Sequence, residues 1–277
     1  MAELPTIPDR APSPRELLAF YLESGVDCAL GDEPVNRLSD EPEPAVAAPR
    51  AVASKPVLAE QPARVAPVAA AAPPPEIAIA AAREAARIAP SLDALRAIVE
   101  TFEGCALKAT ATRMVFADGN PQARVMFVGE APGREEDIEG LPFVGRSGKL
   151  LDLMMAAIGL TRETAYIANI IPWRPPGNRD PSPQETQICL PFIQRQIQLV
   201  NPDVLVCLGK PSSQAVLNLT DGIMKTRGRW RDYDTGTRVI KAMATFHPAY
   251  LLRSPSYKRH AWQDLRAVQK MLGLPSV

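Results

Sequence analysis

The 277-residue chain has no C-x-x-C pair. Its four cysteines, at 28, 105, 189 and 207, are too few and too scattered for a disulfide scaffold. No apolar run reaches membrane-spanning length, so no membrane association is expected. The start, MAELPTIPDR, is polar and acidic and is not a secretory signal, which leads to the expectation of a cytoplasmic protein. Histidine is scarce: only His247 and His260 are available for general acid or base work. The GRSGK run at 145–149 lacks the full G-x-x-x-x-G-K-[ST] spacing, which excludes P-loop nucleotide hydrolysis. A DNA phosphate at a helix N-terminus following that run stays open. Net charge is zero and excludes nothing by itself.

The average hides a gradient. Residues 1–50 hold ten Asp/Glu against four Lys/Arg, while residues 223–270 hold eleven Lys/Arg against three Asp/Glu. Fifteen of the 29 prolines lie in the first 90 residues. Residues 1–30 therefore read as an acidic tail, with a short amphipathic helix over 13–24 that either docks on the main domain or a partner or is a marginal helix on a tail. Residues 31–75 read as an Ala/Pro-rich disordered linker, because such a composition cannot bury enough apolar area to offset its ordering entropy. Residues 76–275 read as one compact domain.

In that domain short apolar runs alternate with helical patterns. Strands are expected at 124–128, 165–170, 203–208 and 238–244, with helices at 92–102, 147–158, 184–199, 211–219 and 256–271. This order predicts a three-layer α/β/α fold around a four-stranded parallel sheet. Right-handed crossovers bring all strand C-terminal ends to one edge. Glu130, Asn169, Gly209 and His247 follow or end the four strands, so one ligand site is expected there.

The segments GEAPGREED at 129–137, LPFVGRSGKLLD at 141–152, RPPGNRDPSPQE at 174–185 behind Asn169, and FHPAYLLRSP at 246–255 stand in this order. Together they resemble the iron-sulfur-type (family 4) uracil-DNA glycosylases over about residues 102–272. The resemblance implies excision of uracil from DNA by hydrolysis of the N-glycosidic bond, with uracil-containing DNA as partner. It also assigns roles. Asn169 reads the base edge, since an amide offers both a donor and an acceptor. Phe143 stacks on the flipped base. Gly129 and Ala131 form the turn against the base. Better-known relatives carry an aspartate where Ala131 stands, so the aspartate route to water activation is missing. Glu130 is the nearest substitute carboxylate, and Glu136 is either a second one or a structural anion that anchors the loop through backbone N–H groups. His247 is placed to stabilise the leaving uracil anion. Leu251, four residues after the histidine, is expected as the wedge that replaces the base in the duplex. Arg253, Ser147, Lys149, Lys258 and Arg259 are expected on the phosphates.

The same resemblance implies a [4Fe–4S] cluster held by four cysteines. Only Cys105 and Cys189 match; Phe102 and Trp173 stand at the other two positions. Two thiolates do not supply four ligands, and two large aromatics suit a filled cavity. The expectation is a domain with no cofactor and no metal, the alternative being a cluster with degenerate ligation. Cys207 reads as a core thiol.

A monofunctional, monomeric glycosylase is therefore expected, with no lysine in the site as an amine nucleophile. The alternative is a non-catalytic module that binds uracil- or abasic DNA. The N-terminal arm is a candidate tether to a protein partner.

Overall fold

A computed structural model describes residues 74–275. The expected tail, its helix over 13–24 and the linker to residue 73 lie outside the described residues. Two helices lead in. The first, α1 (Pro75–Ile88), carries the alanine-rich run, with Ala78, Ala82 and Ala86 forming its buried stripe. Ser91 caps α2 (Leu92–Thr101) by accepting the Ala94 N–H, and Leu95 and Val99 point inward.

The sheet has six strands in the order β1-β3-β2-β4-β6-β5. They are β1 (Ala117–Gly119), β2 (Val125–Gly129), β3 (Tyr166–Asn169), β4 (Val204–Leu208), β5 (Arg231–Asp234) and β6 (Val239–Thr245). The expected four-strand sheet is thus too narrow. β1 pairs antiparallel with β3 and β5 pairs antiparallel with β6, which makes the sheet mixed. Neither edge has an apolar run to announce it: β1 reads ADG and β5 reads RDYD. Short and charged edges discourage pairing with another chain.

Strand alternation builds two cores. Met126, Val128, Tyr166, Ala168, Leu205 and Cys207 face one way, into a core shared with α1, α2 and α5 (Pro183–Val200). Val125, Phe127, Ile167, Val206 and Leu208 face the other. There they meet α4 (Arg146–Ala156), α8 (Pro248–Arg253) and α9 (Lys258–Leu272). Both faces of the central strands are covered, as their continuous apolar runs require. Burying each large side chain contributes about 1.5–3 kcal/mol before entropy is counted.

Three helices border the strand ends. The acidic turn after β2 is a helix, α3 (Arg134–Glu139), where the sequence suggested only a loop. Three of its four carboxylates, Glu135, Glu136 and Asp137, lie in the first turn, where they suit the helix dipole. The helix α6 (Gly209–Leu217) starts directly off β4 and is tied to β2 by the Ser212 hydroxyl, which donates to the Val128 carbonyl at 2.6 Å. A single turn, α7 (Ile223–Thr226), completes the rim. Among the described residues no helix is long and apolar enough to cross a membrane.

Candidate active site

A cavity of about 950 Å³ opens at the C-terminal ends of the parallel strands. Glu130, Asn169, Gly209 and His247 all line it, so the convergence expected from topology is what the fold delivers.

Asn169 ends β3 directly opposite Gly129 of β2. It is 4% exposed, and its Oδ1 is buried without a hydrogen-bond partner. A buried orphan acceptor is costly, by about 1–3 kcal/mol, so it points to a ligand that donates. Gly129 is required beside it. A Cβ at 129 would lie 2.3 Å from Asn169 Oδ1 and 2.6 Å from Phe143 Cζ. The missing side chain is thus the space in which the amide and the phenyl ring meet. Ala131 lines the same wall.

Phe143 is buried at the cavity wall with its ring centroid 5.5 Å from that of His247, the planes 30° apart. His247 caps α8: its Nδ1 accepts the Ala249 N–H at 3.1 Å. That bond requires Nδ1 to be unprotonated and leaves Nε2 as the N–H donor. Burial first, then the charge of Arg253, lowers the His247 pKa to about 4. The ring is therefore neutral at pH 7 and donates through Nε2.

Glu130 lies half-buried on the wall. Burial first, then the negative Asp180, raises its pKa to about 7. Glu136 has another task. Its Oε2 accepts the Gly133 N–H, and its Oε1 accepts the N–H groups of Val144 and Gly145, all at 3.0 Å. Of the two readings left open for Glu136, these bonds support the one that anchors the loop through backbone N–H groups. Glu136 is the anion that ties the 143–145 loop to α3. Its neighbour Asp137, also buried, accepts from the Thr112 N–H at 2.7 Å and the Thr112 hydroxyl at 2.9 Å.

The wedge expectation needs correction. Leu251 is 1% exposed and packs under the loop, while Leu252 is 36% exposed and lines the cavity. The phase of α8 sends the first leucine inward and the second outward. Arg253 and Ser147 line the cavity; Lys149, Lys258 and Arg259 are exposed but stand away from it. Arg134, Arg146 and Lys210 are further cations on the wall, beyond those expected from the sequence. Lys210 directly follows Gly209, so the strand-end argument already pointed one residue short of it.

On the opposite side of β2 lie the two matched thiols. Cys105 Sγ and Cys189 Sγ are 3.8 Å apart and both buried. Trp173, 2% exposed, and Phe102 belong to the same core, where Phe102 packs edge-on against Phe192 at 5.0 Å. Among the described residues no three His, Cys, Asp or Glu side chains converge as metal ligands. The donor set does not fit a cluster held by four protein ligands. Cys207 is a core thiol with its pKa pushed up to about 12 by burial.

An α/β fold with this strand-edge site has known counterparts. Residues 116–266 match the family described as the uracil DNA glycosylase superfamily. The chain is 39% identical over 187 residues to the "Type-4 uracil-DNA glycosylase" of Archaeoglobus fulgidus, covering 66% of this chain and 94% of that protein. It is 44% identical over 180 residues to the "Type-4 uracil-DNA glycosylase" of Thermotoga maritima, covering 63% and 91%. A "DNA polymerase" of Bacillus phage SP01 is 28% identical over 155 residues, covering 56% of this chain and 16% of that protein. The chain belongs to the uracil-DNA glycosylase superfamily.

Proposed function

We propose that this protein is a DNA glycosylase that excises uracil from DNA. The observation that carries the reading is Asn169, whose buried Oδ1 lacks a partner between Gly129 and Phe143. Uracil offers N3–H to that oxygen and O4 to the amide nitrogen. Cytosine offers a donor where uracil has O4 and meets the amide donor to donor.

The flipped base stacks on Phe143, with O2 toward His247. As the N1–C1′ bond breaks, its electron pair passes to the ring, and negative charge builds on O2. His247, kept neutral by its lowered pKa, donates its one N–H, on Nε2, to that oxygen; a neutral imidazole is a very weak acid, so it stabilises the anion by hydrogen bonding without giving the proton up. Glu130 in its ionised form stabilises positive charge at the sugar and orients the water that adds to C1′. The added water gives up a proton to Glu130, the released uracil anion takes up a proton from solvent, and the products are free uracil and an abasic site. Arg134, Arg146, Lys210 and Arg253 around the cavity suit the phosphates on either side of the flipped nucleotide, and Leu252 suits the gap left in the duplex. No step is assigned to a cluster, since the thiol pair does not fit one. A monomer, a cytoplasmic location and an N-terminal arm that tethers a protein partner complete the proposal from composition alone.

Purified protein incubated with a duplex carrying one labelled uracil tests the reading. Release of free uracil, with no release from the cytosine duplex, is the expected result. Retention of the duplex without release would leave a binding module. Borohydride trapping on the same sample checks Lys210: a trapped covalent adduct would contradict a purely hydrolytic enzyme.

A further inference from the structure

The aromatic at the cavity wall is held in a backbone conformation that it does not favour. Phe143 has φ +56°, in the left-handed region. A bulky side chain stays there only where its surroundings over-determine it. The surroundings are specific. Arg162, on the turn after α4, donates from Nη1 to the Pro142 carbonyl at 3.1 Å and from Nη2 to the Phe143 carbonyl. The same guanidinium is aimed by two carboxylates from separate elements. Nη1 meets Asp118 Oδ2 of β1 at 2.5 Å, and Nε meets Asp152 Oδ1 of α4 at 2.9 Å. A third constraint comes from Gly148, where a Cβ would lie 1.6 Å from the Phe143 oxygen.

We propose that Arg162 is a positioning residue for base recognition: its guanidinium fixes the 142–143 peptide so that the Phe143 ring faces His247 before any base arrives. This rests on the uracil-excision reading above. Arg162 is not on the cavity wall and cannot touch the base, so it acts through Phe143. The geometry explains why an arginine is needed. One planar fork must reach two successive carbonyls and two carboxylates at once, and the ammonium of lysine cannot reproduce that spread. A stacking face fixed in advance loses no rotamer freedom when the base enters. Gly129, which leaves room for the ring edge, and Gly148, which leaves room for the carbonyl, are the other two parts of the same clamp.

A double-mutant cycle tests it with Arg162→Lys, Phe143→Ala and the combination. The main readout is affinity for a duplex carrying 2′-fluoro-2′-deoxyuridine, which resists hydrolysis, relative to the same duplex with thymidine. Single-turnover uracil release and denaturant midpoints accompany it. Arg162→Lys is expected to reduce the uracil preference about fivefold, the lower end of what a base–aromatic stack is worth. In the Phe143→Ala background it is expected to add less than about twofold, because contacts that act through one group are not additive. Asp152→Asn, which loosens the fork from its far side, should shift the preference in the same direction by a smaller factor, and it serves if Arg162→Lys fails to fold. Equal losses in both backgrounds would overturn the proposal, as would a lowered midpoint with unchanged uracil preference. A parent protein that prefers the uracil analogue but releases no uracil would sink the glycosylase reading alone. A parent that releases uracil as well with Arg162→Lys as without it would sink this inference alone.

Discussion

The two faces of β2 carry opposite kinds of chemistry. At its C-terminal end, the cavity keeps polar groups in states that cost energy: an orphan amide oxygen on Asn169, a carboxyl on Glu130 raised to about 7, and an imidazole on His247 lowered to about 4. Behind it, the thiol layer around Cys105 and Cys189 holds nothing comparable. Aromatic side chains pack there, and the two thiols are closed on each other at 3.8 Å. The difference separates a part of the fold with an unpaired polar group from a part packed as apolar core. Perturbed titratable groups gathered in a cleft mark function. The thiols are perturbed chiefly by each other: their shared bond, then burial, raises Cys189, the same bond lowers Cys105 against burial, and neither residue lines the cavity.

If the contrast is right, substitutions in the cavity should abolish chemistry and spare stability. Asn169→Asp should give the largest effect. An ionised carboxylate repels O4 and cannot donate to it, so uracil release should fall on the order of a thousandfold, as for a site deprived of a required polar pairing. Weak release of cytosine could appear. Single-turnover assays on matched duplexes check both. Wild-type rates from the variant would reduce Asn169 to a strand cap. His247→Ala should follow, lowering the cleavage rate about 10²–10³-fold with little change in DNA affinity, the usual result of losing one donor to a developing anion. A loss confined to affinity would remove His247 from the chemistry.

The thiol layer should respond the other way. Trp173→Ala empties an indole from a fully packed core and should destabilise the domain by about 3–5 kcal/mol. Release per folded molecule should stay within a few-fold of the parent. A denaturant melt and an assay on the same preparation decide it. An unchanged midpoint, or a dead but stable variant, would break the contrast between the two regions.

The sequence exposed the cavity far better than its supports. Four apolar runs located the central strands, and their ends located Glu130, Asn169 and His247, because parallel topology leaves few places for them. The edge strands ADG and RDYD had no such signal, since polar edges need no hydrophobic pattern. The resemblance pointed to Leu251, and only the phase of α8 puts Leu252 on the cavity instead. Glu136 stayed open between a catalytic carboxylate and a loop anchor because two of its partners are backbone N–H groups eight and nine residues on. Arg162 sits in a turn reading LTRET and gave no sign at all; its four partners come from β1, the 142–143 loop and α4. Residues that touch a ligand tend to stand in motifs. Residues that hold those in place are defined by contacts far apart in the chain.

The smallest predicted effect is a pH dependence, and it tests the carboxylate that the cavity perturbs most. Glu130 is raised from an ordinary 4.5 to about 7 by burial, then by Asp180. If the ionised form serves the sugar cation and the water, release should rise with pH and level off above about 7. Below that it should fall roughly tenfold per unit, following the ionised fraction. His247, at about 4, stays neutral across this range and adds no second limb near neutrality. Stability should move oppositely. A carboxyl with a raised folded pKa binds more protons folded than unfolded between about 4.5 and 7. Its contribution is therefore fully present below the unfolded value and lost as pH rises through the folded one. Glu130→Gln should flatten both curves, with activity low at every pH and stability higher than the parent above pH 7. Asp180→Asn should keep the activity plateau and shift the midpoint to lower pH, since only the repulsion is removed. A parent profile flat between pH 5 and 8 would exclude Glu130 as the titrating group. It would leave His247 and Asn169 to carry the chemistry without a carboxylate.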